Sequence, residues 1–186
     1  MKPALIVIDM LEDFVHGELK CERAQRILEP LGRLLEEARL QGVPVIFSND
    51  AHLPDVDREF EVWGPHAVVG TPGAQVIAEL EPKDGDYQIP KRRYSGFYGT
   101  DLDALLRELK VDTVVLTGLH TNICVRHTAA DAFYRGYRIL IPTDAVEAFT
   151  EEDHESGLDY LKRVYGSQLT STGALMEQIS SLALKG

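Results

Sequence analysis

The chain has 186 residues, of which 44% are hydrophobic, and a formal net charge of −11 at pH 7. That length suits one domain with a substantial core, so residues 1–186 are read as a single domain. The acidic balance argues against nucleic acid and anionic membrane surfaces as partners, and no apolar run approaches the roughly 20 residues that a bilayer crossing needs. Two cysteines, Cys21 and Cys124, do not make a disulfide framework and fit a reducing compartment. The apolar run at 4–8 is too short for a secretory signal core, and a cytoplasmic location is expected.

In chain order, residues 4–8 form a continuous apolar run, as expected of a parallel strand buried on both faces. Ile27, Leu31, Leu34, Leu35 and Ala38 follow at helical spacing, with Pro30 tolerable near the start and Gly42 as the stop. Residues 43–47 read as a second strand, 48–73 as an irregular stretch, 74–80 as a short helix and 87–90 as a third strand. A helix over 101–109, capped by Thr100, precedes a strand over 113–117. The pattern then gives a helix over 123–135 ending at Gly136, a strand over 137–141, a helix over 152–164, a strand over 167–170 and a last helix from Thr172. A β-α unit repeated about six times predicts a three-layer α/β/α sandwich on a mostly parallel, Rossmann-like sheet of about six strands.

In such a sheet, ligands bind beyond the carboxyl ends of the strands, where the strand order reverses. Here Asp9 follows the first strand, Asp50 and His52 the second, Lys91 the third and Cys124 the fourth. Cys124 sits at a strand-to-helix turn, where unpaired N–H groups and the helix dipole favour a thiolate. Lys91 would lower the thiol pKa further, and Asp9 would hold the thiol proton and pass it to a leaving amine. Simpler readings stand beside these: Cys124 as a small buried hydrophobe, Asp9 as a turn-capping acid, and Lys91 as part of a solvated edge with Arg92 and Arg93. Cys21, before the first helix, is read as structural.

Three separated segments carry a family resemblance. They are Ile8-Asp9-Met10 with Asp13-Phe14, Tyr94-Ser95-Gly96-Phe97 with Gly99-Thr100-Asp101-Leu102, and the run from Gly118 through Asn122-Ile123-Cys124-Val125-Arg126 to Asp131-Ala132. In order and spacing the chain resembles the isochorismatase-like cysteine hydrolases, and within them the nicotinamidase/pyrazinamidase group. The resemblance implies a catalytic triad of Asp9, Lys91 and Cys124. It also implies a cis Leu119–His120 peptide and an oxyanion hole formed by the backbone N–H groups of His120 and Cys124. A divalent metal on Asp50, His52 and His66 is implied too, with Phe14 and Trp63 packing the substrate ring. A carboxylate and two imidazoles suit zinc, or iron or manganese, with open positions left over. Glu59 and Glu61 lie in the same loop as possible further ligands. Surface histidines and plain loop packing of Trp63 are the alternatives on spacing alone. Family analogy also implies a homo-oligomer, a dimer or tetramer.

The chain departs from the nicotinamidase pattern at Leu11, where Gln is common, at Ala67-Val68, where Cys-Val is common, and at His120, where a small residue is usual. The stretch between Asp50 and His66 is also shorter than in many members. These departures leave the triad intact and bear on the substrate. The expected activity is hydrolysis of a small carboxamide to acid and ammonia through a thioester, with nicotinamide or a related aromatic amide leading. An N-carbamoyl or ureido amidase would keep Asp9, Lys91 and Cys124 without needing the metal or the aromatic pair. A true isochorismatase typically lacks the cysteine. From another class, a non-catalytic metal- or ligand-binding relative and a thiol redox protein remain alternatives, because the fold hosts many chemistries.

Overall fold

Strand β1 (Pro3–Ile8) is buried along its whole length, and its alternate residues feed opposite layers. Leu5 and Val7 join the core under α2 (Leu28–Leu40) and α7 (Thr172–Ala183), through Leu31, Leu34, Leu35, Leu175 and Ile179. Ala4, Ile6 and Ile8 join the core under α4 (Leu102–Glu108), α5 (Arg126–Tyr134) and α6 (Glu151–Tyr165). Period-two strand geometry thus builds a three-layer α/β/α sandwich with a core on each face of the sheet. The computed structural model describes residues 1–183.

The remaining strands are β2 (Val45–Asp50), β3 (Tyr87–Lys91), β4 (Thr113–Leu119), β5 (Arg138–Pro142), β6 (Val146–Glu147) and β7 (Gln168–Thr170). Two short helices, α1 (Glu12–Val15) and α3 (Phe60–Trp63), follow β1 and β2. Among the described residues the sheet has seven strands in the order β3-β2-β1-β4-β5-β7, with β6 paired to β4. Every described strand pairing is parallel. The strand beyond the expected six is β6, two residues long, in a stretch too short for periodicity to register. The helix expected over 74–80 is instead two separate 3-10 turns, Pro72–Ala74 and Ala78–Leu80. No described helix is long and apolar enough to cross a membrane.

The strand order reverses between β1 and β4, so the switch-point crevice opens past Ile8 and Leu119. Gly118 pairs with Ile8 at φ +93°, and a Cβ there would overlap the Ile8 carbonyl, so only glycine lets the two strands close at the crevice. Gly157 of α6 faces the turn after β4, where a Cβ would meet Thr121 Cγ2 at 3.1 Å and the Asn122 nitrogen at 3.2 Å.

Candidate active site

Asp9, Lys91 and Cys124 arrive from three strands and meet in the crevice. Asp9 follows β1 in the left-handed region (φ 53°), uncommon for a residue with a side chain and frequent at functional positions. Its amide donates to Asn49 Oδ1, and its Oδ1 accepts from the Asp50 amide at 2.7 Å. Asp50 and Lys91 are the last residues of β2 and β3 and are register partners. Strand alternation turns Lys91 inward and leaves Arg92 outside, which removes the solvated-edge reading. The Lys91 side chain is fully buried, with Nζ 2.7 Å from Asp9 Oδ2, 2.6 Å from Asp50 Oδ1 and 3.8 Å from Cys124 Sγ. A buried ammonium is tolerable only with such partners. Burial disfavours the Lys91 charge, but Asp50 and Asp9 outweigh it and hold its pKa well above the ordinary lysine value.

Cys124 lies inside a π-helical turn, Thr121–Val125, and the α-helix begins only at Arg126. The cysteine thus sits in the strand-to-helix turn as expected, and the helix expected over 123–135 starts three residues later. The expected lowering of the Cys124 pKa is corrected. Burial pushes the thiol well above its ordinary value, and Lys91, pulling the other way, does not overcome it. The Asp9 carboxyl is raised to about 6, first by burial and then by Asp50, with Lys91 opposing. The resting arrangement is therefore a protonated thiol beside a carboxylate of near-neutral pKa and a charged lysine. The Leu119–His120 peptide bond is cis. His120 is buried on the cleft wall immediately after β4. Cys21 is buried and is not among the cleft-lining residues, its thiol donating to the Ala148 carbonyl.

Beside this floor lies a second buried group. Asp50, His52, Glu59 and His66 each present a donor atom within 4.8 Å of the others. His52 Nε2 stands 3.6 Å from Asp50 Oδ2 and 3.7 Å from Glu59 Oε2. His52 Nδ1 faces Asp57 at 3.2 Å, and His66 Nδ1 donates to the Gly64 carbonyl at 2.7 Å, so both rings turn Nε2 inward. His52 Nε2 and Glu59 Oε1 are buried without a hydrogen-bond partner among the described residues. Burial, then Asp50, raises Glu59 to about 7. Burial lowers His52, but Asp50, Glu59 and Asp57 carry it above its ordinary value. Glu59 and His52 thus retain protons that a divalent cation would displace. These donors fit a first-row divalent metal, and their burial disposes of the surface-histidine reading. Glu61 stays outside, in a surface ion pair with Arg58.

A narrow cleft, open to solvent, lies above both groups. Phe14 and Trp63 both line it, together with Leu19, Tyr94, Ile123 and Phe149. The Phe149 ring stacks on His120 at 4.0 Å and on Trp63 at 6.1 Å, and Trp63 Nε1 donates to the Tyr94 hydroxyl. Sequence reasoning passed over Phe149, although it lies two residues past β6 at the carboxyl edge of the sheet, where the switch-point rule directs attention. It also passed over Asp57, which accepts from the Leu53 amide and from Arg92 and faces His52. Those bonds, the Arg92 guanidinium first, hold Asp57 far below the usual carboxylate range. Only its spacing of five from His52 pointed to it.

An open parallel sheet that buries a carboxylate–lysine–cysteine group at its switch point defines a three-layer α/β protein with an acid–lysine–thiol site. The Isochorismatase domain model matches residues 3–173. Among solved structures, the chain is 48% identical to N-carbamoylsarcosine amidase from Thermoplasma acidophilum, covering 92% of this chain and 97% of that one at a TM-score of 0.87. It is 37% identical to nicotinamidase PncA from Bacillus subtilis, covering 92% and 100% at a TM-score of 0.88. It is 30% identical to the pyrazinamidase of Pyrococcus horikoshii solved in complex with zinc, covering 92% and 99% at a TM-score of 0.84. The chain belongs to the isochorismatase family.

Proposed function

We propose that the chain is a cysteine amidohydrolase that converts a small neutral carboxamide to acid and ammonia, with nicotinamide or a related aromatic carboxamide as leading substrate. Asp9, Lys91 and Cys124 are its catalytic residues. The observation that carries the reading is the buried Lys91, shared by Asp9 and Asp50 and lying 3.8 Å from Cys124. Asp9, with a pKa near 6, accepts the Cys124 proton as the sulfur attacks the amide carbon. The backbone N–H groups of His120 and Cys124 receive the developing oxyanion. Asp9 returns the proton to the departing nitrogen, releasing ammonia and leaving a thioester. Water then adds, giving its proton to Asp9, and the acid leaves as the thiol is restored. Lys91 keeps its charge throughout and holds Asp9 in place.

Asp50, His52, Glu59 and His66 would hold a divalent metal, zinc by analogy with the pyrazinamidase relative. Bound there, it would act as a Lewis acid toward a ring nitrogen and so orient the substrate. Phe14 and Trp63 supply apolar wall on which an aromatic ring packs.

A second reading, hydrolysis of an N-carbamoyl amino acid, is favoured by the 48% identity to N-carbamoylsarcosine amidase. Cleft charge weighs against it. No arginine or lysine is among the lining residues, and the nearby Lys91 is already bound by two carboxylates. A substrate carboxylate would thus find no free side-chain cation among the lining residues. Ammonia release from nicotinamide, pyrazinamide, N-carbamoylsarcosine and ureido acids, with zinc-loaded and chelated protein, tests the choice. Metal-dependent turnover of the ring carboxamides supports the first reading. Exclusive, metal-indifferent turnover of the carbamoyl acids replaces it with the second.

A further inference from the structure

We propose that His120 selects the substrate by hydrogen-bonding, through Nε2, a second neutral polar atom beyond the reacting amide, so that the site is built for a polar-substituted aromatic carboxamide. This deepens the amidohydrolase reading and rests on it. His120 is 4% exposed and lines the cleft with Cys124. Its ring stacks on Phe149 with centroids 4.0 Å apart and planes 23° apart, and meets Phe14 edge-on at 5.8 Å and 87°. The imidazole is therefore fixed in plane by two aromatic neighbours. Its Nε2 is buried and has no hydrogen-bond partner among the described residues.

A phenyl ring would fill this wall equally well without a polar atom to desolvate. Burying an unpaired nitrogen costs stability, and that cost is offset only when a partner arrives. His120 lines the cleft beside the nucleophile, and a bound substrate is the group that can bring that partner. Burial lowers the His120 pKa to about 4, so the ring is uncharged at neutral pH. A neutral imidazole has one donor and one acceptor nitrogen, which matches a hydroxyl, an amide or a further ring nitrogen. It supplies no charge to hold a carboxylate, in keeping with the absence of arginine and lysine from the lining. Sites built to hydrogen-bond a substrate group reject analogues lacking it far better than apolar pockets reject a methylene.

The test compares zinc-loaded wild type, His120→Phe and His120→Gln on nicotinamide, pyrazinamide and ring-hydroxylated nicotinamides. The readout is the ratio of kcat/KM for each substituted amide to that for nicotinamide. The same ligands are titrated by calorimetry into Cys124→Ala, with and without the His120 changes, to read selection without turnover. The expected result is a wild-type ratio of about 10 or more for at least one substituted amide. It should collapse by about tenfold in His120→Phe and be partly kept in His120→Gln, which also carries the test if the phenylalanine variant misfolds. Turnover in which nicotinamide equals every substituted amide, or a preference unchanged in both variants, overturns the proposal while leaving the amidohydrolase reading intact. Binding selection that depends on His120 in a protein that turns over no amide would instead overturn the amidohydrolase reading alone. Neither binding nor turnover of any amide would overturn both.

Discussion

Three strand ends deliver the floor of the cleft, whereas most of its wall comes from one irregular segment and a few loop residues. Asp9, Asp50 and Lys91 are fixed by parallel register, since Ile8 pairs with Ser48 and Asp50 with Lys91. The wall is tied by side-chain bonds. Asp13 accepts from the Ala67 amide, Asp57 from the Leu53 amide and Arg92, and Tyr94 from Trp63. The floor cannot shift without disturbing the sheet. The wall can change one residue at a time. The buried acids and lysine therefore sit at strand ends, and the residues that shape the cleft wall sit on loops supported by them.

The comparison breaks most visibly at the floor. Cys124→Ala should lower amide turnover by at least ~10⁴-fold while leaving the melting temperature within a few degrees. Ammonia release and thermal melts read the two effects. Iodoacetamide should modify Cys124, which lines the cleft, well before Cys21, which does not, as followed by peptide mass spectrometry. Equal labelling rates would remove the cleft cysteine from its assigned part.

Lys91→Met should abolish turnover and also cost about 3–5 kcal/mol of stability, because it leaves Asp9 and Asp50 buried without their shared cation. Urea unfolding measures the loss. A stable, inactive variant would show that the lysine serves chemistry alone. Asp9→Asn keeps the shape and removes the proton acceptor, so its deficit should lie in kcat, by about 10²–10⁴-fold.

Changes to the wall should be milder. His52→Ala should copy chelated protein, with metal content falling from about one per chain and the KM for nicotinamide rising while Cys124 remains reactive. Asp57→Asn should weaken metal binding by about 10–100-fold without touching a metal donor, because Asp57 faces His52 Nδ1 and fixes that ring. Competition with a chromogenic chelator measures both. Unchanged affinity in Asp57→Asn would make that residue a clasp for Arg92 only.

The smallest effect is one of pH. The folded-state pKa of His120 lies near 4, below its ordinary value of 6.5. Between those values the unfolded chain binds more protons, so the contribution of His120 is complete above pH 6.5 and is lost as pH falls toward 4. One proton limits the slope to about 1.4 kcal/mol per pH unit. Urea midpoints over that range should fall less steeply in His120→Phe than in wild type. Parallel slopes would show that His120 is not the group that titrates.

The β-α alternation made the fold class legible, because a strand buried on both faces must be apolar throughout and its crossover helices must be amphipathic. The site was legible to the extent that it hangs on strand ends: Asp9, Asp50 and Lys91 follow from element boundaries and the switch-point rule. The candidate metal donors His52 and His66 and the wall residues Phe14 and Trp63 were reached through motif resemblance, since loop residues carry no periodicity. Glu59 was one candidate of two until folding separated it from Glu61. Phe149 and Asp57 went unread because each acts through a neighbour distant in sequence or outside any repeating element.

The sequence by itself determined the layers, the parallel sheet and the identities of the acid, the lysine and the cysteine, all of which rest on local period and residue type. Tertiary structure alone decided their electrostatic state. Burial, which no window of sequence reports, raised the Cys124 thiol and Asp9, and two carboxylates from different strands kept Lys91 charged. It likewise decided that His120 stacks on Phe149 with its Nε2 unpartnered among the described residues, because that contact joins residues that follow two separate strands, β4 and β6, whose approach is set by sheet packing.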